Sequence, residues 1–397
     1  MTKIFPALTI ALLLVTIQGI PAVFNVTNVA EFQSALSTAA TNGENDTIHV
    51  AAGTYPVTST LTYSTDEQYS LTIVGAGAAS TILNGNDAVQ ILHLNSTGDN
   101  GHLLVCSLAF RHGNSSSNGG GAQLNTGTGS ATVRYCEFSY NRTAEIGGGL
   151  CMTSFTGTLG VDQCEFNYNE CMNNDAGGLF MGVNEGTMYL EESTFTGNEV
   201  HGDDAGGCML YSDNTGHAIL HGNQFTSNAA ADGSGGSMVY LLGPNSTIVE
   251  YNNTYQDNTA LLDGAGSWNR MPASGTIEFY NNLMYHNHAN EAGGGGCRIQ
   301  IQEGAIDLYN NTFHENISGT PFSVEGSGGG LWIDLSDGTA NVHHNRLTAN
   351  DAYQNGGGAQ ITVYSGALNF YLNVPNINEA GNVGGGFSFS TMDANLG

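Results

Sequence analysis

Lysine is almost missing from this chain. Lys3 is the only one in 397 residues, and six arginines (Arg111, Arg134, Arg142, Arg270, Arg298 and Arg346) face 35 acids. A net charge of −28 argues against nucleic acid or anionic lipid as partner, since Lys and Arg hold both. Proline is scarce, with 7 copies, and no run beyond Ala22 is apolar enough to cross a membrane as a helix. Seven cysteines match no zinc spacing, and their odd number leaves one without a partner inside the chain. Polysaccharide-cleaving signatures are thin as well. The paired-Asp, Gly-His-Gly and Arg-x-Lys elements of pectin-cleaving glycosidases do not occur together, and a Lys base is unavailable.

What is abundant is glycine, with 56 copies, and it recurs in phase. Clusters stand at 119–121, 147–149, 177–178, 206–207, 235–236, 264–266, 293–296, 328–330, 356–358 and 384–386. Between them Phe138, Phe166, Phe195, Phe225, Tyr255, Met284, Phe313 and Leu347 each precede an Asn by three. Successive copies stand roughly 29 residues apart, and only the last gap, from Phe313 to Leu347, is clearly wider. After each Gly cluster comes a triplet (AQL, LCM, LFM, CML, SMV, SWN, CRI, LWI, AQI, FSF) whose third residue is apolar in all but one. That is period-two alternation over a short strand. A second strand shows it too, at Leu159/Val161, Met188/Leu190, Ala218/Leu220, Ile277/Phe279 and Ile306/Leu308.

Three short strands per roughly 29 residues with Gly turns describe one coil of an all-β, single-stranded right-handed parallel β-helix. Each coil can bury its apolar residues only against its neighbours, about 4.8 Å away, so ten to thirteen coils would make a rod of roughly 50–60 Å. Asn223, Asn253, Asn282, Asn311 and Asn345 fall at one bend, beside a second Asn column after the Phe position. Stacked amides can satisfy each other and the turn backbone. The stretch NVAEFQSALSTAA (28–40) has helical spacing and is expected to cap the open end.

The opening segment MTKIFPALTIALLLVTIQGIPA (1–22) has the layout of a secretory signal peptide. Residues 23–100 are then the cap and first coils, residues 101–397 the repeat domain, and the product is secreted or displayed at the cell surface. Export permits disulfides, and Cys136 and Cys164 share a repeat position that would allow bridging; the other reading is that most of the seven are small core residues. The chain stops at GGGFSFSTMDANLG, partway through a coil, as expected of a fragment, a short cap or a continuing assembly.

The alternation of Gly-Gly-[Ala/Leu]-x-[Leu/Ile/Met] with Phe-x-x-Asn resembles the repeats of the polymorphic outer membrane proteins of chlamydiae. The N-terminal stretch DTIHVAAGTYPV…LTIVGAG…TILNG is similar to the first coils of the wider pectate-lyase-like superfamily. The chlamydial resemblance implies an adhesive passenger domain exported with its own C-terminal β-barrel.

Three sets of residues are candidates for function. Glu145, Asp175, Asp204, Asp232, Asp263, Glu291 and Glu325 precede successive Gly clusters. They form either a Ca²⁺-binding edge or a series of carboxylates capping glycine turns. The middle triplet residues Phe180, Met209, Met238, Trp268 and Trp332 are expected to face outward, as are Tyr251, Tyr280 and Tyr309. They form a binding stripe for a glycan or protein ligand, or a stripe covered by loops or by its own aromatic stacking. Glu250, in an inward column, suggests a one-residue slip that would bury Val249 and Tyr251 instead.

The reading is an adhesin-like binding protein without catalysis and with Ca²⁺ as the only cofactor. The alternative is a polysaccharide lyase or glycoside hydrolase acting on acidic polysaccharide through Asp203, Asp204 and Arg298. No large insertion in the period is expected to build a cleft for it.

Overall fold

Residues one period apart are brought into register because each coil closes on itself and lies on the last. In the computed structural model, which describes residues 21–321, 323 and 325–396, every strand pairing is parallel. Except for Pro21 and Ala22, the expected signal peptide lies outside the described residues. The Phe-position strands form a 12-stranded sheet, short two-residue strands a 10-stranded sheet, and the two alternating strands of each coil a 21-stranded sheet. The chain is a parallel β-solenoid of about 12 turns.

The interior follows the alternation. Phe110, Phe138, Phe166, Phe195, Phe225 and Tyr255 stack face to face, with ring centroids 4.6–5.0 Å apart. Leu124, Met152, Met181, Leu210 and Val239 fill the adjoining column, all fully buried. The Asn ladders form as expected. Asn228 Oδ1 accepts from the Asn198 amide N–H and side chain, both at 2.9 Å, while its Nδ2 donates to the Phe195 carbonyl at 3.0 Å. In the other column Cys136, Cys164 and Ser193 replace the first amides. The two cysteines are free buried thiols, with the Cys136 N–H 3.5 Å from the Cys164 sulfur.

Glycine has two distinct tasks here. Gly147 adopts φ +69°, a left-handed turn, whereas a Cβ on Gly148 would stand 2.3 Å from the Gly177 carbonyl of the next coil. Close stacking, rather than turn conformation, demands the second glycine. The bends before the Asn columns are also left-handed, yet Tyr140, Tyr168, Ser227, Asp257, His286 and Glu315 occupy them at φ +53° to +56°.

Helix α1 (Val29–Ala39) covers the first coils, as its spacing predicts. Asn28 caps it by accepting from the Glu31 N–H at 3.0 Å, and Phe32, Ala35, Leu36 and Ala39 are buried. Gln33 substitutes for a missing neighbour strand: its amide donates to the Thr62 carbonyl (2.9 Å) and accepts from the Thr62 N–H (2.8 Å). No helix among the described residues is long and apolar enough to cross a membrane.

The strand slip expected at Glu250 does not occur. Glu250 stays in register between Leu220 and Phe279 and is fully buried. Its carboxylate accepts from Tyr255 Oη (2.6 Å), Asn269 Nδ2 (2.9 Å) and Ser267 Oγ (3.3 Å). Polar residues on three strands of the same core layer make the slip unnecessary. Burial pushes the Glu250 carboxyl up to about 7.

Candidate functional site

The middle triplet column is where exposure departs from expectation. Phe180, Met209, Met238 and Trp268 do point out of the sheet, but they are only 8, 4, 0 and 9% exposed. The segments leading into the Gly clusters fold over them, so they form a second small core with Cys151, Ala176 and Ala205. The aromatic column on the neighbouring strand is half-buried in another way. Tyr251, Tyr280 and Tyr309 stack on one another at 4.9–5.0 Å, continued by His221 below and His343 and Tyr371 above. Their faces are occupied by each other, so the ladder offers no open ring to a sugar.

The covered stripe ends at Arg298, and a cleft begins there. In four successive coils the two alternating strands fuse into Ser267–Tyr280, Cys297–Tyr309, Leu331–His343 and Ala359–Tyr371. The longer interval between Phe313 and Leu347 carries an insertion before Leu331, contrary to the expectation that nothing interrupts the period. The cleft, about 770 Å³, lies between this insertion and the fused strands. Arg270, Gln300, Gln302, Trp332, Asp334 and Tyr364 line it from the strands, and Glu325 and Ser327 from the insertion.

Its geometry is set by Arg298. The guanidinium lies 4.4 Å from the Trp332 ring and 5.5 Å from the Trp268 ring, and it pairs with Asp263 and, at 3.5 Å, with Asp334. Asp334 in turn accepts from Trp332 Nε1 at 3.1 Å, which fixes the indole against the strand. Burial raises both carboxyls, opposed by the Arg298 charge. Sequence reasoning missed Arg270, Gln300, Asp334 and Tyr364. The signal was available in the outward column two residues beyond the triplet centre, which turns from Tyr211 and Tyr240 to Arg270, Gln300 and Asp334.

The acidic edge is not continuous. Asp175, Asp203 and Asp204 bring their oxygens within 4.8 Å of one another, and no other group of metal-ligating type does so among the described residues. Asp263 belongs to Arg298, Glu145 accepts from Asn174 Nδ2 at 2.6 Å, Asp232 and Glu291 join no such group, and Glu325 rims the cleft. Backbone capping is present too, but between coils. Asp175 accepts from the Asp204 N–H (3.1 Å), Asp204 from Gly233 (2.7 Å) and Asp263 from Gly293 (3.1 Å). Burial and the neighbouring carboxylates push Asp204 up to about 7. Burial, partly offset by the bond from the Asp204 N–H, pushes Asp175 up to about 6. Arg298 does not join Asp203 and Asp204. Three coils separate their strands, roughly 14 Å along the rod, so these three residues form no common site.

No family model matches the sequence, and no curated protein is detectably similar to it. Among solved structures the chain is similar to the catalytic domain of Agl-KA, at 12% identity and a TM-score of 0.38, over 91% of this chain and 65% of that one. This chain thus spans about two thirds of the length of that structure.

Proposed function

We propose that this chain is an exported, adhesin-like β-solenoid that binds saccharides in the Trp332 cleft without cleaving them. The observation that carries the reading is the cleft lining. Two guanidinium groups, amides and hydroxyls surround an indole pinned by its own hydrogen bond to Asp334. An apolar ligand would leave those groups unpaired at a cost of about 1–3 kcal/mol each, whereas a sugar offers hydroxyls to the amides and a C–H face to the indole. Asp263 and Asp334 are both engaged by Arg298, which favours binding over the lyase or hydrolase alternative, since neither is free as acid or base. The likeness of the repeat to chlamydial surface proteins and the leader-like segment 1–22 support secretion or surface display. For Ca²⁺ we propose Asp175, Asp203 and Asp204, whose hard oxygens suit it.

The test is calorimetric titration of the purified chain with neutral and acidic oligosaccharides, with assays for new reducing ends and unsaturated products in parallel. Saturable binding that Trp332→Ala weakens by about tenfold or more, with no product released, is the expected result. Product release from any polymer would replace binding with catalysis.

A further inference from the structure

We infer that the saccharide taken by this cleft carries an anionic group, held by Arg270. The inference rests on the reading of the cleft as a saccharide site and adds the class of ligand.

The other arginines show why Arg270 is unusual. Arg111 pairs with Glu137 at 2.6 Å, Arg134 with Asp162 at 2.7 Å, Arg142 with Glu170 at 3.7 Å, and Arg298 with two aspartates. Arg346 lies outside this cleft and donates to Thr348 Oγ1 at 3.2 Å. Arg270 has neither a carboxylate partner nor a hydrogen-bond acceptor among the described residues, in a chain with 35 acids. Its guanidinium is nevertheless held in place, 4.7 Å from the Tyr240 ring and 5.5 Å from the Trp268 ring. Ring faces fix its plane without engaging N–H donors in its fork.

A preorganised guanidinium with unpaired donors at a cleft matches a carboxylate or a sulfate ester, each able to accept two parallel hydrogen bonds. The charge around it limits what else the ligand can be. Arg298 is neutralised by Asp263 and Asp334, and Glu325 stands on the insertion two coils beyond Arg270, roughly 10 Å along the rod. A ligand with an anion at Arg270 and hydroxyls toward Gln300, Gln302 and Trp332 fits this distribution. A densely charged polymer would meet Glu325 and the overall −28 of the chain.

The experiment is titration of the full chain with three sets of short oligosaccharides of equal length: neutral, uronate-containing and sulfated. Each is repeated with Arg270→Gln and Arg270→Lys, after circular dichroism and melting show that the variants fold. We expect one anionic set to bind at least about tenfold tighter than the neutral set, with an advantage that shrinks as salt rises. Arg270→Gln should abolish the difference between that set and the neutral set, and Arg270→Lys should restore part of it. Preference for uronate or for sulfate identifies which oxyanion is read. Neutral and anionic sets binding equally, or an anionic preference that survives Arg270→Gln, would overturn the inference while the saccharide site stands. Binding of no set would remove the site itself.

Discussion

A buried asparagine needs partners for both ends of its amide, and in this solenoid its copies in the next coils supply them. Asn228 satisfies the Asn198 N–H, the Phe195 carbonyl and its own side chain in a place closed to water. Asn228→Ala should therefore destabilise by about 3–5 kcal/mol in denaturant unfolding, since it orphans several buried groups at once. A change comparable to a surface substitution would show that the ladder is dispensable. Glu250 makes the opposite case, an acid the fold tolerates at a cost. Its folded pKa, about 7, lies above the ordinary value of 4.5, so the folded state holds the proton more tightly. The stability this contributes is complete below about 4.5 and is lost as pH rises through about 7, on the order of 3 kcal/mol. Glu250→Gln should flatten that loss and raise the melting temperature at pH 8. Asn269 Oδ1, which lacks a partner, can turn to accept from the new amide.

Among the elements, the solenoid is a stack of nearest-neighbour contacts, so its ends govern where it opens. Helix α1 closes one end with a packed face and with the Gln33 amide on the Thr62 backbone. Leu36→Ala should cost about 2–4 kcal/mol and speed amide exchange in the first coils far more than around Asn228. Equal exchange throughout would mean that the coils unfold as one. The cap was legible from 28–40 because amphipathic spacing is local. The cleft was not, because it needs the fused strands, the insertion before Leu331 and the Arg298 pairs to meet across several coils. The left-handed bends at Tyr168 and Glu315 were equally invisible, since hydrogen bonds to the next coil, rather than residue type, hold them there.

Across the whole molecule the dominant electrostatic fact is 35 acids against seven bases. Self-repulsion of this size should make the melting temperature rise with NaCl. Millimolar Ca²⁺ should raise it further than the same ionic strength of NaCl if Asp175, Asp203 and Asp204 take the ion, and Asp175→Asn with Asp204→Asn should remove the difference. Without a cation these raised carboxyls lose stability as pH climbs from about 4 towards 7, so the Ca²⁺ effect should grow over the same window. Identical Ca²⁺ and NaCl curves would leave Asp175 and Asp204 as inter-coil caps.

The solenoid follows from residue order alone. A period of roughly 29 residues, strands alternating by two and paired Asn columns leave stacking as the only way to bury the apolar positions. The capping helix and the inward-facing residues follow in the same way, because they depend on spacing along one helix or strand. What covers the outward faces is a tertiary matter. Segments leading into the glycine clusters seal Phe180, Met209, Met238 and Trp268, self-stacking occupies Tyr251, Tyr280 and Tyr309, and the surface opens at the cleft that Arg270, Arg298 and Trp332 line. Outward direction is set by backbone alternation within one strand, but exposure depends on what other segments lie above it.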